Sequence, residues 1–347
     1  MSSNTFVPNF IFPFVYSLSM SQVVKFQCPH CNAPVDVNPE DAIFNCISCG
    51  QAYLADGSKF DNHHILVNTL NQKQVRDIVK DFVKKKGFLR GIRGYKITKM
   101  TPSLLPFWCA TADVYTHYVG YLRYTETKTR TVGTGKNRRT VTEHVTVYRP
   151  IDEEIREKRV EVLLGRRGSS IYGYQSVKSQ LQTEFHKAVP FNHERLMSTE
   201  KDFNYLSSEI ALNAANQLAK TAIFDDHRAR AEKRCTKVFD CATQLTFTGT
   251  YFVHAPVWQV EYVFKDETYR IAILGSNGQI IKGEIPVTAR FRAIFLSLSI
   301  LILGGAGAVS YFFADQVAVP IIAGIATAVI GFFTLKNTFK PMSVYGG

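Results

Sequence analysis

A chain of 347 residues suffices for two or three folded units, and 46% hydrophobic against 20% charged residues is an ordinary globular balance. Lys and Arg outnumber Asp and Glu by 41 to 29, a net charge of +12 that favours contact with polyanions, either nucleic acid or anionic lipid headgroups. Seven cysteines, an odd count with four of them in two C-x-x-C pairs, argue against a disulfide framework and for reduced thiols.

Residues 1–22 read as a tail. Phe6–Met20 is apolar but interrupted by Pro8, Asn9 and Pro13, and no basic residue precedes it. It makes a poor signal peptide. Met20 offers an alternative start directly before the next unit.

Residues 23–56 carry the strongest chemical signal. Cys28-Pro29-His30-Cys31 and Cys46-Ile47-Ser48-Cys49 are spaced as C-x2-C-x14-C-x2-C. Each pair makes a tight knuckle whose two sulfurs converge, and two facing knuckles form a tetrahedral thiolate cage suited to structural Zn(II). An iron centre or a redox dithiol uses the same residues. Gly50, after the second pair, suits a turn of positive φ. Four thiolate ligands leave no open coordination position, so a catalytic role is not expected. His30, His63 and His64 lie nearby and read as surface residues.

The stretch 72–288 reads as a basic α+β domain. A helix is predicted over Gln72–Lys86, with Val75, Ile78, Val79, Phe82 and Val83 on one face and Gly87 as its stop. Strands follow at Thr111–Tyr124 and Arg139–Tyr148, joined by a tip at 132–137, with a third at Lys158–Leu164. Arg123, Lys128, Arg130, Lys136, Arg138 and Arg139 make this hairpin a candidate polyanion-binding ribbon. A long helix is predicted over Thr199–Arg234, with a capping-box start at Thr199 and Asp202. The strands Pro256–Phe264, Tyr269–Leu274 and Gln279–Lys282 then form an antiparallel meander.

Two uncharged stretches close the chain, Ala293–Phe313 and Val317–Leu335, separated by a link whose one charge is Asp315. Each is long enough to cross a hydrocarbon core of roughly 30 Å, and the short link predicts a transmembrane hairpin over 293–335. A buried soluble hairpin is the alternative. Gly304 with Ala308 and Gly324 with Ala328 are spaced for close helix approach. Arg290 and Arg292 before the first span, and Lys336 and Lys340 after the second, place both flanks in the cytosol by the positive-inside rule. Residues 336–347 are then a cytosolic tail.

The ribbon resembles the short ribbons of the TFIIB type and of the rubredoxin-like superfamily. Leu105-Pro106-Phe107-Trp108, then Pro256-Val257-Trp258 with Val260 and Tyr262, then Tyr269 and Gly278-Gln279-Ile280 with Gly283, extend the likeness over most of residues 26–335. Together with the terminal spans these resemble prokaryotic membrane-anchored zinc-ribbon proteins, sometimes labelled after the helicase PriA. The resemblance implies architecture rather than activity, and no Walker-type phosphate loop supports the helicase label. No nucleophile elbow, H-E-x-x-H, kinase set or dinucleotide fingerprint is present. Asp225-Asp226-His227, His193-Glu194, Cys235 and Cys241 are the remaining candidates for chemistry.

The expectation is therefore an α+β integral membrane protein with a zinc ribbon and no enzyme activity. It would act as a membrane-tethered adaptor or scaffold, with the bilayer and a protein complex as partners. Nucleic-acid binding through the ribbon and basic hairpin is the alternative.

Overall fold

The computed structural model describes residues 24–46, 48–135, 138–167, 171–191, 194, 202–312, 318–338 and 342–346. The expected tail at 1–22 lies outside them, apart from which the chain is α+β, strand-rich and built on a curled antiparallel sheet.

The cysteine-bearing segment forms two small sheets. Strands β1 (Val24–Gln27) and β2 (Pro34–Val37) make the first, and β3 (Ile43–Asn45), β4 (Ala52–Leu54) and β5 (Lys59–Phe60) the second. The second is fused to the main body. Ile43, Ala52 and Phe60 pack with Trp108, Phe252, Ile210 and Ala215, and the backbone amides of Ala42 and Ile43 donate to Ser208 O. Strand β6 (His63–Ile65) then joins the main sheet.

Helix α1 (Gln72–Lys86) forms as predicted. Asn71 and Gln74 complete a capping box at its start, and the Gly87 amide closes its end on Val83 O. Its apolar face buries Val75, Val79, Phe82 and Val83 against the meander.

The central element is longer than predicted. Strand β7 runs unbroken over Lys96–Val132, and β8 over Arg139–Leu164 absorbs the two strands expected there. The two pair from Phe107–Leu164 out to Val132–Arg139 without a register shift, so the predicted hairpin forms at the far end. Pro102 and Pro106 flank Ser103 and Leu104, where the short strand β10 (Asn204–Tyr205) pairs in place of β8. A strand position at which the neighbouring edge needs no donor tolerates a residue without an N–H; at Pro106 the facing Gly165 donates to Pro106 O, and its own carbonyl accepts from Glu209 and Ile210 instead. At roughly 3.3 Å per residue, the 37 residues of β7 span about 120 Å along the strand.

Helix α2 (Tyr174–Glu184) covers Phe107 and Cys109 on one face of the sheet. Strands β9 (Val189–Pro190) and β10 (Asn204–Tyr205) follow. The long helix is shorter than predicted: α3 spans Leu212–Arg234. Phe203 and Leu206, inside the predicted helix, instead lie on extended chain, where Phe203 meets Trp258 and the Leu206 amide donates to Leu104 O. Backbone pairing with the sheet and the ribbon outweighs helix periodicity there. Thr199 lies outside the described residues.

Strand β11 (Lys237–Phe264) pairs with β7 along its whole length, and β12 (Glu267–Leu274) and β13 (Ile280–Pro286) complete the meander. On one face of the sheet, α1, the ribbon and α3 thus lie in a row from the thick end toward the hairpin.

Helices α4 (Ala289–Phe312) and α5 (Ala318–Thr338) follow, and the hydroxyls of Ser299 and Thr334 lie 2.8 Å apart between them. Among the described residues one helix, over Ala289–Ala308, is long and apolar enough to cross a membrane. Among the described residues, a Cβ built on Gly304 or Gly324 would meet nothing within 4 Å. Within the expected tail, strand β14 (Met342–Tyr345) returns to pair with β13, Met342 opposite Pro286.

Candidate metal centre

The two knuckles are built alike. The amide of Asn32 donates to Cys28 O and that of Gly50 to Cys46 O, closing each turn. The residue after each pair is left-handed: Gly50 has φ 76°, as expected, and Asn32, which takes the same position, has φ 61°. The four sulfur atoms of Cys28, Cys31, Cys46 and Cys49 all lie within 4.8 Å of one another. Cys28 and Cys49 are 3.7 Å apart, and Cys31 and Cys46 are 3.5 Å apart. A tetrahedral thiolate site with metal–sulfur bonds of about 2.3 Å requires edges of about 3.8 Å, so the cluster fits a metal ion.

Its electrostatics ask for a cation. Burial pushes the thiols of Cys46 and Cys49 up, the latter to about 12. At Cys28 burial is outweighed by the Tyr53 hydroxyl, 3.3 Å from the sulfur, and by the amides of Cys31 and His30, which bring it down to about 6. Four thiolates cannot share this volume without a positive charge between them. Tyr53 was not singled out from sequence; the signal is an aromatic residue four positions after the last cysteine.

His63 was read as a surface residue and is buried. His254 Nε2 lies 2.9 Å from Leu206 O, an acceptor, so that nitrogen carries the proton. His254 Nδ1 then accepts from His63 Nε2 at 2.8 Å, and His63 Nδ1 accepts from the Asn45 amide at 3.0 Å. Both rings are neutral, and burial lowers both of them. Asn45 precedes Cys46, so the chain of bonds ties the second knuckle to the main sheet.

The hairpin charges are arranged differently from a uniform basic patch. Arg123, Lys128, Arg130, Arg138 and Arg139 are exposed, and Lys136 lies outside the described residues. The register puts Lys128 opposite Glu143, and Arg130 opposite Val141. The other face is a ladder of threonines, with Thr125 opposite Thr146, Thr129 opposite Thr142 and Thr131 opposite Thr140. Arg290, Arg292 and Lys336 are exposed beside α4 and α5, and Lys340 lies outside the described residues.

Several of the remaining candidates are held in contacts with the sheet, whereas Asp225 and Glu194 are exposed. His227 is fully buried between Thr116 and Glu157. Asp226 pairs with Arg159 and Arg230, and Glu161 with Arg159 and Lys178. Burial pushes the thiols of Cys235 and Cys241 up, away from reactivity. His193 lies outside the described residues.

No family model, no curated protein and no solved structure matches the chain. Its own geometry defines it as an α+β protein in which a cluster of four cysteines that could hold a metal ion is fused to a long sheet, with one helix, over Ala289–Ala308, apolar and long enough to cross a membrane.

Proposed function

We propose that this chain is a membrane-tethered scaffold, braced by structural Zn(II) in its ribbon, that carries a long β arm as a docking surface for a protein partner. The observation that carries this reading is the pairing of Pro286 with Met342. It brings the start of α4 and the chain leaving α5 side by side on the sheet, which supports an antiparallel transmembrane hairpin with both flanks on one side. Ile300, Leu301, Leu303, Tyr311 and Phe312 are exposed on α4, an apolar surface that a bilayer would cover. Arg290, Arg292 and Lys336 favour a cytosolic location for those flanks and for the body attached to them.

Strand β7 starts opposite Val263, beside the turn that leads into α4, and ends at the hairpin. The arm therefore holds its tip remote from the helices, which suits presentation to a partner better than contact with the adjacent headgroups. Zinc is the ion favoured by four thiolates in a closed tetrahedron. No reaction is assigned, because the titratable clusters are engaged in ion pairs and buried hydrogen bonds.

Nucleic-acid binding has less support, since Glu126 and Glu143 interrupt the hairpin's basic residues. The test is capture of the tagged full-length chain in mild detergent, with and without nuclease, beside alkaline extraction of membranes. A protein companion that survives nuclease, and a chain retained in extracted membranes, are the expected results. Release by alkali, or nucleic acid as the main companion, overturns the scaffold reading.

A further inference from the structure

Among the described residues the sheet has two long free edges that differ in chemistry. On one side β8 has no outer partner among the described residues, and its stretch 152–161 carries eight charged residues of ten. Charge of that density guards an edge against further pairing. On the other side β11 meets β6 only at 252–254 and β12 only from Val257 onward, so its outer edge over Lys237–Tyr251 is unpaired among the described residues. From Cys241 to Tyr251 that edge has no charge and no proline. Register shifts at Val238/Asp240 and Phe247/Gly249 bound a regular stretch, Asp240–Phe247, of ordinary strand length.

We propose that this edge is where two copies of the chain associate, β11 pairing antiparallel with its own copy about Gln244. Cys241 would then face Phe247 of the second copy, and Thr243 would face Leu245. No like charges meet within this seam, whereas an isologous two-fold needs only a surface complementary to itself. Leu245 and Phe247 are half-buried against Ala112, Val114 and Ile223 under α3, and the added strand extends that cluster. Ala242, Gln244 and Thr246 lie exposed on the opposite face.

The product is a continuous six-stranded sheet with both α3 helices on one face. There is room for them. Helix α3 sits over β7, bonded to β8 through Arg230 and Glu157, to β7 through His227 and Thr116, and to β11 through Asn216 and Thr250. Three strand spacings of about 4.8 Å then separate the two helix axes by about 14 Å, more than the 10–12 Å diameter of a helix with its side chains. This association does not depend on the membrane reading.

The test is the protein mass of the full-length chain in mild detergent at about 10 μM, by light scattering. Two copies are expected. Gln244→Lys with Thr246→Lys places lysines face to face across the seam while leaving the buried face of β11 unchanged, and single copies with the circular dichroism of the parent are expected. A single-copy mass for the parent chain, or a two-copy mass that survives both lysines, overturns the proposal. Should the double variant not fold, Gln244→Cys decides. A disulfide-linked dimer under mild oxidant, absent for Glu154→Cys on the guarded edge, is the expected result, and no link at position 244 overturns it.

Discussion

The Arg90 guanidinium donates to Ser343 Oγ at 2.8 Å, joining positions 253 residues apart. The same guanidinium donates to Ile285 O and Pro286 O, each at 3.2 Å, and to the Tyr345 hydroxyl at 3.0 Å, and it stacks over Phe291. One buried side chain thus clasps β13, β14 and the first turn of α4.

Arg90→Met is expected to unclasp this end. Removing the guanidinium leaves buried carbonyl oxygens without donors, at a cost of about 1–3 kcal/mol each when unsatisfied. Ser343→Ala removes a single bond and is expected to cost about 1 kcal/mol. Urea unfolding in detergent, with limited proteolysis after residue 338 as a local readout, checks both. Equal stability and equal cleavage in parent and Arg90→Met would show the clasp to be idle.

One zinc ion per chain is expected by elemental analysis, with Cys46→Ser abolishing it. Because Ile43 and Phe60 pack on Trp108 and Phe252, the loss should be felt beyond the ribbon. A strong chelator is expected to lower the melting temperature of the whole chain. Ile43→Ala with zinc retained should cost about 2–5 kcal/mol through the cavity it leaves. A chelated chain that melts like the parent would place the ribbon outside the cooperative unit.

The neutral His63–His254 pair sets a pH dependence. Burial holds His254 at about 4, against 6.5 for an ordinary histidine, and lowers His63 as well. The folded chain therefore binds fewer protons than the unfolded one below pH about 6.5. The pair's contribution is complete above that pH and declines as the pH falls toward about 4, by on the order of 3 kcal/mol for His254 alone. Denaturant midpoints measured between pH 7.5 and 5 should fall for the parent and fall less for His254→Phe. Identical slopes would remove the pair from the account.

The outer hairpin should be dispensable for stability. Beyond Tyr121 and Pro150 only β7 and β8 remain paired, and β11 has ended. Replacing residues 122–149 by a tight turn is expected to change stability by less than about 1 kcal/mol, while abolishing capture of a partner that docks on the arm. A large loss of stability would mean that the hairpin is held by contacts with the body.

Local chemistry determined several parts of this protein by itself. The C-x-x-C spacing specified the cluster of four sulfurs, because two knuckles have few other ways to place them. The apolar face and Gly87 specified α1, and alternation specified the meander, because the hydrophobic period is a property of each segment alone. What only the tertiary structure decided concerns partners distant in sequence. Pro102 and Pro106 sit inside a strand because no N–H is required of them there: Pro102 precedes the pairing with β10, and at Pro106 the facing Gly165 donates to Pro106 O while its own carbonyl is taken by the amides of Glu209 and Ile210. Phe203 and Leu206 leave helical periodicity because extended chain gives their backbone and side chains partners on β7 and β11. His63 is buried because β6 is brought beside Phe252 and His254, and the chain end becomes a strand because Arg90 and β13 receive it. In each case the deciding interaction joins residues that no local window contains.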